Sequence, residues 1–168
     1  MVDDHKKPPP RFIAGAVCPK CGAEDRITLQ VVDSAQNLGT TWQSSEEWKG
    51  SVKVDFVPAY SQDTMDTFFA GIDVLLFPSQ WKESFGLTVR EALARDGWVI
   101  ATDCGAPVAN IEHGVNGHII PFDSGASVLA DAIIEAIGKP WQDYENSRKH
   151  ELRSFAEQSA ELHRLFTA

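Results

Sequence analysis

The sequence predicts an α/β fold in which a Rossmann-like parallel sheet is covered by helices. From residue 52 onward, short apolar runs of strand length alternate with amphipathic stretches of helix length. This order places parallel strands side by side with helices over both faces. The 168 residues suffice for one domain of ordinary size, and 43% hydrophobic with 23% charged residues is typical of a globular chain with a buried core.

Residues 1–50 are predicted to form an irregular head. The prolines of 6–10 remove backbone donors and favour an extended lead-in. Short strands are predicted over 11–17, before a pair of cysteines, and over 27–32. The mostly polar stretch 34–50 is typical of a surface loop or a degraded segment.

Residues 51–168 are predicted to form the α/β domain, with its strands in one parallel sheet. The predicted strands are 52–57, 73–77, 98–102 and 118–121. Ser61 is predicted to cap a helix that runs to about residue 71, and a second helix covers 85–94. Asp123 and Ser124 are predicted to cap a third helix, which ends at Gly138, and the tail 141–166 carries a helical apolar stripe.

Charge and composition exclude several classes of protein. The formal charge of −9 and the pI of about 4.9 repel a phosphate backbone, which argues against nucleic acid as a partner. The longest candidate for a membrane-spanning helix, 72–78, is far shorter than the roughly 20 residues that such a helix needs, and no secretion signal is visible. Three cysteines cannot all pair within the chain, so we expect a reducing compartment, the cytoplasm.

The segment 77–94 holds the candidate ligand site. It follows a buried strand and opens a helix, which places it at the carboxyl edge of the sheet, where open α/β folds bind ligands. The backbone amides of Phe85, Gly86 and Leu87 can point at negative oxygen, and Gly86 permits close approach. Glu83 in the loop and Glu91 in the helix suit two hydroxyl-bearing parts of one elongated ligand. Taken alone, however, two such acids are more often ordinary solvated residues.

Four motifs within 52–165 resemble the nucleotide-sugar-binding, C-terminal half of GT-B glycosyltransferases of group 1 (family 4), which are retaining enzymes. They are DVLLFPS at 73–79, ESFGL at 83–87 with EALA at 91–94, VIATDCG at 99–105, and Asn116-Gly117 before a strand. The resemblance implies a nucleotide diphosphate sugar as substrate and no metal or cofactor. It implies that catalytic Glu83 faces the donor sugar and that Glu91 holds the ribose. It places Ser79, Phe85, Gly86 and Leu87 beside the sugar and the diphosphate.

The chain departs from that family pattern in three places. Gly105-Ala106 and Ala109 stand where the family has Gly-Gly and a Glu, and 1–50 contains no recognisable Arg and Lys pair. No acceptor-binding half precedes the matched segment, so we expect a fragment with little activity alone, to which a separate acceptor-binding domain is a possible partner. The alternative is a non-catalytic binding or assembly protein with a zinc-ribbon-like head.

The head carries Cys18 and Cys21 at the spacing of half a zinc ribbon. Residues 11–22 also resemble the start of YheV-type zinc-ribbon proteins, but the second cysteine pair of that pattern is lacking. We therefore expect less than one zinc per monomer, while a dimer could supply four thiolates and a redox role stays open. Trp81 can stack on a ligand or, the favoured reading, cover the sheet edge. His113, His118 and Cys104 receive no catalytic role.

Overall fold

The computed structural model describes residues 28–39, 53–139, 141 and 144–167. The predicted strand over 11–17 and the cysteine pair Cys18 and Cys21 lie outside these residues. The chain divides into two compact units, Met1–Ala59 and Tyr60–Ala168.

The first unit contains a two-stranded parallel sheet. Strand β1 (Thr28–Asp33) is followed by a 3-10 helix (Ser34–Leu38), and β1 pairs with β2 (Lys53–Pro58) along its whole length. A strand was predicted at each place, within one residue of these bounds. The expectation that β2 belongs to one sheet with the later strands is wrong, because among the described residues β2 pairs only with β1, in a two-stranded sheet of its own. The stretch predicted as a surface loop begins with the 3-10 helix.

The second unit is built on a three-stranded parallel sheet in the order β3, β4, β5. The strands are β3 (Val74–Phe77), β4 (Trp98–Thr102) and β5 (Gly117–Ile120), within one residue of the predicted bounds. Strand β4 is central, and all five of its residues are buried. Because the strands are parallel, their carboxyl ends lie at one edge of the sheet and their amino ends at the other.

Helices cover both faces of this sheet. Alternate residues of a strand point to opposite faces. Val99 and Ala101 therefore pack into one core with helix α2 (Leu87–Leu93), while Trp98 and Ile100 pack into a second core with α3 (Ala126–Ile137). The predicted fold class, a Rossmann-like parallel sheet covered by helices, is confirmed.

The starts of the helices differ from the predictions. Helix α1 spans only Met65–Phe69, because the Thr64 amide donates to the Ser61 carbonyl at 3.2 Å and closes a turn where a cap was expected. Helix α2 begins at Leu87, since Gly86 has a left-handed φ of 69° that no helix continues. The cap of α3 is Gly125, and Asp123, with φ 61°, lies outside the helix. Its end at Gly138 is as predicted.

Among the described residues of the tail, the α-helix is α4 (Phe155–Thr167), and a short 3-10 helix (Lys149–Glu151) precedes it. Before it, Asn146 is buried and its side-chain amide donates to the Leu93 carbonyl at 2.8 Å, which ties this segment to α2. Helix α4 buries none of its residues, and its large apolar side chains Phe155, Leu162, Leu165 and Phe166 are exposed. Within the described ranges, no helix has the length and apolar content to cross a membrane.

Candidate functional site

The loop between β3 and α2 is anchored to the end of the neighbouring strand. The Glu83 amide donates to the Cys104 carbonyl at 2.8 Å, and the Ala106 amide donates to the Glu83 carbonyl at 3.1 Å. These two bonds hold Glu83 beside Gly105, just past β4. The loop that carries the first predicted acid is therefore fixed at the carboxyl edge of the sheet.

Gly105 makes this anchoring possible. Its φ of 114° is a conformation that L side chains rarely adopt, and a Cβ there would lie 2.8 Å from the Glu83 carbonyl oxygen. Only glycine allows the two backbones to approach this closely. The Gly at this position thus supports the family motif quoted above, although Ala106 departs from it.

Ser79 and Glu83 lie together within the loop. The Ser79 hydroxyl is 3.4 Å from Glu83 Oε1 and accepts a hydrogen bond from the Trp81 amide at 3.2 Å. Below them, the buried Thr102 hydroxyl donates to the Ser79 carbonyl at 2.5 Å. The backbone of Ser79 is held by β4, and the Glu83 carboxylate is only half-buried and open to a ligand.

Gly86 brings the loop close to the segment after β4. A Cβ on Gly86 would lie 2.5 Å from the Pro107 ring, so the buried Gly86 has no room for a side chain. The amides of Phe85, Gly86 and Leu87 donate to no acceptor in the described part of the chain. Phe85 and Leu87 are 47% and 59% exposed. Three neighbouring donors therefore lie unpaired at the sheet edge, as the sequence predicted.

Glu91 lies on α2 and has a partner that the sequence did not reveal. The Tyr60 hydroxyl donates to Glu91 Oε2 at 2.5 Å, and Arg95 donates to the Glu91 carbonyl at 3.2 Å. Burial raises the pKa of Tyr60 to about 12, and the hydrogen bond to Glu91 adds to the rise. The phenol is therefore protonated at neutral pH and acts as the donor.

Among the described residues, the two acids share no hydrogen bond and no common partner. Glu83 faces Ser79 in the loop, while Glu91 faces Tyr60 from the helix. This arrangement agrees with the expectation of two separate contacts. Arg90 lies next to this region, 4.3 Å above the Phe85 ring, and adds a positive charge.

Other candidate residues lie elsewhere or differ from expectation. Trp81 is 80% exposed, so the interpretation that its ring covers the sheet edge is wrong: the ring lies largely in solvent. On β5, His118 Nε2 lies 3.1 Å from Glu135, and His113 accepts a hydrogen bond from the Ile119 amide. Cys104 is buried with a free thiol. In the described ranges no three His, Cys, Asp or Glu side chains form a metal-binding group.

Sequence reasoning missed Tyr60 and Thr102. Each contacts its partner across more than 20 positions of chain, 31 for Tyr60 with Glu91 and 23 for Thr102 with Ser79. Periodicity carries no information on such contacts. The sequence feature that could have indicated them is residue type, because each carries a hydroxyl group and lies near the end of a predicted strand.

The fold is a parallel α/β domain of Rossmann-like class, and comparison with known proteins names the family. The family model "Glycosyl transferases group 1" matches residues 18–157, so the chain belongs to this family. No curated protein sequence matches the chain.

Solved structures share the fold at low sequence identity. The chain is similar to sucrose-phosphate synthase from Thermosynechococcus elongatus, with TM-score 0.61, 24% identity and coverage of 68% of this chain and 30% of that one. It is similar to HepE (Alr3699) of Anabaena in complex with UDP, with TM-score 0.55, 23% identity and coverage of 69% and 33%. A glycosyltransferase from Rickettsia africae gives TM-score 0.57, 21% identity and coverage of 68% and 31%. The matched region thus spans about a third of each of these structures.

Proposed function

We propose that this chain is the donor-binding domain of a retaining glycosyltransferase, which holds a nucleotide diphosphate sugar at the carboxyl edge of its second sheet. The observation that carries the proposal is a set of three unpaired amides beside one acid at that edge, with a second acid about one turn further along α2. The amides belong to Phe85, Gly86 and Leu87, and the acids are Glu83 and Glu91. In this proposal residues 51–168 form the donor domain and residues 1–50 the head, whose strand β1 pairs with β2 of the donor domain.

Each part of the donor has a matching chemical group. The diphosphate is an anion, and neutral backbone amides bind anions without the desolvation cost of an extra buried charge. The ribose and the sugar carry hydroxyl donors, and carboxylates are strong acceptors for them. In the proposal, Glu91 accepts hydrogen bonds from the ribose hydroxyls. Glu83, with Ser79 next to it, accepts hydrogen bonds from the sugar hydroxyls. The related fold of HepE is described in complex with UDP, with UDP and glucose, and with UDP-glucose, which supports this class of ligand.

The reaction we propose is transfer of the sugar with retention at its anomeric carbon. An acceptor hydroxyl attacks that carbon on the face from which the nucleotide diphosphate leaves. The new C–O bond forms as the bond to the diphosphate breaks, and the hydroxyl proton passes to the departing diphosphate, on which negative charge develops. The amides of Phe85, Gly86 and Leu87 stabilise this charge, because donors fixed in advance need no reorganisation during the reaction. Glu83 lies on the sugar side, where it aligns the ring by its hydroxyls.

Transfer requires an acceptor-binding part in addition to the matched region. The matched region spans about a third of the structures that share its fold. Orientation of the two reactants supplies roughly 7–11 kcal/mol of catalysis, which a donor domain alone does not provide. The exposed apolar side chains of α4 give such a part a surface to pack on.

The proposal is tested by titrating the chain with UDP and with UDP-glucose in a calorimeter. Glu91→Gln should weaken UDP binding roughly tenfold to hundredfold, because loss of a charged hydrogen bond costs about 1.5–3 kcal/mol. Glu83→Gln is the matched control: it should leave UDP affinity unchanged and reduce the gain that the glucose unit gives. Equal loss of UDP affinity in both variants, or in neither, would contradict the assignment.

A further inference from the structure

The hydrogen bond between Tyr60 and Glu91 joins the site to a segment outside helix α2. Tyr60 lies in the segment that leads into α1, and its hydroxyl reaches Glu91 Oε2 at 2.5 Å. An ionised carboxylate has two oxygens and about four lone-pair positions. One oxygen is engaged by the phenol, so Glu91 Oε1 and the remaining lone pairs are available to a ligand.

The Tyr60 ring is held in place by its own packing. Its centroid lies 4.7 Å from Phe68 and 5.2 Å from the buried Phe69, on the face where these rings contact α2 and β4. Aromatic pairs at such distances have preferred orientations. The phenol therefore has little freedom, and the entropy cost of fixing Glu91 through it is met when the domain folds rather than when a ligand binds.

The protonation state of the phenol suits this role. Burial raises its pKa to about 12, so the hydroxyl keeps its proton throughout the physiological range. The facing groups are Glu91, which accepts the bond, Arg95, which follows the end of α2 and binds Asp66, and the Thr88 side chain. The Tyr60 hydroxyl thus remains a donor to Glu91 under all ordinary conditions.

We propose that Tyr60 is a positioning residue that fixes the Glu91 carboxylate toward the 2′ and 3′ hydroxyls of a nucleotide ribose, and so contributes to selection of a ribonucleotide. The inference rests on the proposed function, in which Glu91 binds the ribose. A carboxylate free to rotate would lose rotamer entropy on binding and would meet the two hydroxyls in many orientations. A carboxylate tied at Oε2 presents the same atoms in every molecule.

A purely structural role for the pair gives a different result from a positioning role. If the bond only stabilised the domain, its loss would affect any nucleotide equally. If it positions Glu91, its loss affects only ligands that carry the ribose hydroxyls. The two are separated by comparing UDP with 2′,3′-dideoxy-UDP, which lacks those hydroxyls.

The experiment measures the affinity of both nucleotides for the wild type, Tyr60→Phe and Tyr144→Phe. Tyr60→Phe keeps the ring that packs on Phe68 and Phe69 and removes only the donor. We expect UDP affinity to fall roughly threefold to tenfold, the loss of one ordinary hydrogen bond, with dideoxy-UDP affinity unchanged. Tyr144→Phe makes the same chemical change away from the site, where the hydroxyl has no partner among the described residues, and should alter neither affinity.

The outcomes separate this inference from the proposed function. If wild type prefers UDP over dideoxy-UDP and Tyr60→Phe keeps the full preference, or loses affinity for both ligands equally, Tyr60 is not a positioning residue while the proposed function stands. If wild type binds the two nucleotides equally, or binds neither, Glu91 does not hold a ribose and both proposals fail.

A second measurement needs no substitution at Tyr60. The chain has two tyrosines, so protein labelled with fluorotyrosine gives two fluorine signals, assigned through Tyr144→Phe. Saturating UDP should shift the Tyr60 signal and leave that of Tyr144 in place. A Tyr60 signal unmoved by saturating UDP would overturn the inference even if Tyr60→Phe fails to fold.

Discussion

The two edges of the three-stranded sheet satisfy their polar groups in opposite ways. At the carboxyl edge, Thr102, Ser79 and Glu83 form a chain of hydrogen bonds, and Tyr60 is paired with Glu91. At the amino edge, Trp98 packs against Trp141 and Tyr144, with Lys139 4.3 Å above its ring. There the Trp98 indole nitrogen and the Tyr144 hydroxyl are buried with no partner among the described residues.

The difference is the one that our proposal predicts between a surface that binds a ligand and a surface that packs in the protein interior. Polar groups that are fixed in position can bind a ligand in one orientation and select it by shape and charge, since a hydrogen bond has a preferred geometry. Packed aromatic rings stabilise the fold by removing large apolar areas from water. This gain can exceed the free-energy cost of burying an N–H or O–H group that has no acceptor. Burial raises the pKa of Tyr144, like that of Tyr60, to about 12, although only Tyr60 has an acceptor for its proton.

The largest expected effect comes from filling the close contact at the carboxyl edge. Gly86→Ala should reduce the free energy of unfolding by about 2–5 kcal/mol, because a left-handed conformation costs about 1–2 kcal/mol and overpacking against Pro107 about 1–3 more. Denaturant unfolding measures the change.

Gly114, which precedes β5 at the amino edge, is the matched control for this substitution. Its φ of 83° is also left-handed, but nothing lies within 4 Å of the position that a Cβ would take. Gly114→Ala should therefore lose only the conformational part, about 1–2 kcal/mol. Equal losses at the two glycines would mean that the Gly86 contact with Pro107 is not a close one.

A smaller effect is expected from removing one hydroxyl at each edge. Thr102→Val keeps the shape of the side chain and leaves the Ser79 carbonyl without its donor, which should cost about 1–3 kcal/mol of unfolding free energy. Tyr144→Phe removes a hydroxyl that has no partner among the described residues and should be neutral or slightly stabilising. Thr102→Ser keeps the hydroxyl that donates to the Ser79 carbonyl and should therefore retain most of the unfolding free energy that Thr102→Val loses. If Tyr144→Phe were as harmful as Thr102→Val, the contrast between the edges would be wrong.

The sequence predicted the parts of this structure that depend on local pattern. Strand β4 was predicted with its observed bounds, because a central strand buried on both faces is a continuous apolar run. The loop before α2 and the placement of Glu83 and Glu91 followed from strand, loop and helix order. These features need only the residues of one segment.

The features that were not predicted depend on contacts between distant segments or on backbone conformation. The start of α2 is set by the left-handed Gly86 lying against Pro107, and the partner of β2 is set by register with β1. The pairing of Tyr60 with Glu91 needs the packing of Phe68 and Phe69 to bring the segments together. The spacing of apolar residues along the chain predicts none of these three features.

The central claim is that the carboxyl edge, and not the amino edge, binds the nucleotide. The most direct test is a nuclear magnetic resonance titration of isotope-labelled chain with UDP, followed through the backbone amide and indole signals. If the carboxyl edge binds UDP, the amide signals of Phe85, Gly86 and Leu87 and the indole signal of Trp81 should shift. The indole signals of Trp98 and Trp141 should keep their positions. Shifts confined to Trp98 and Trp141, or no shift at any of these positions with UDP in large excess, would contradict this claim.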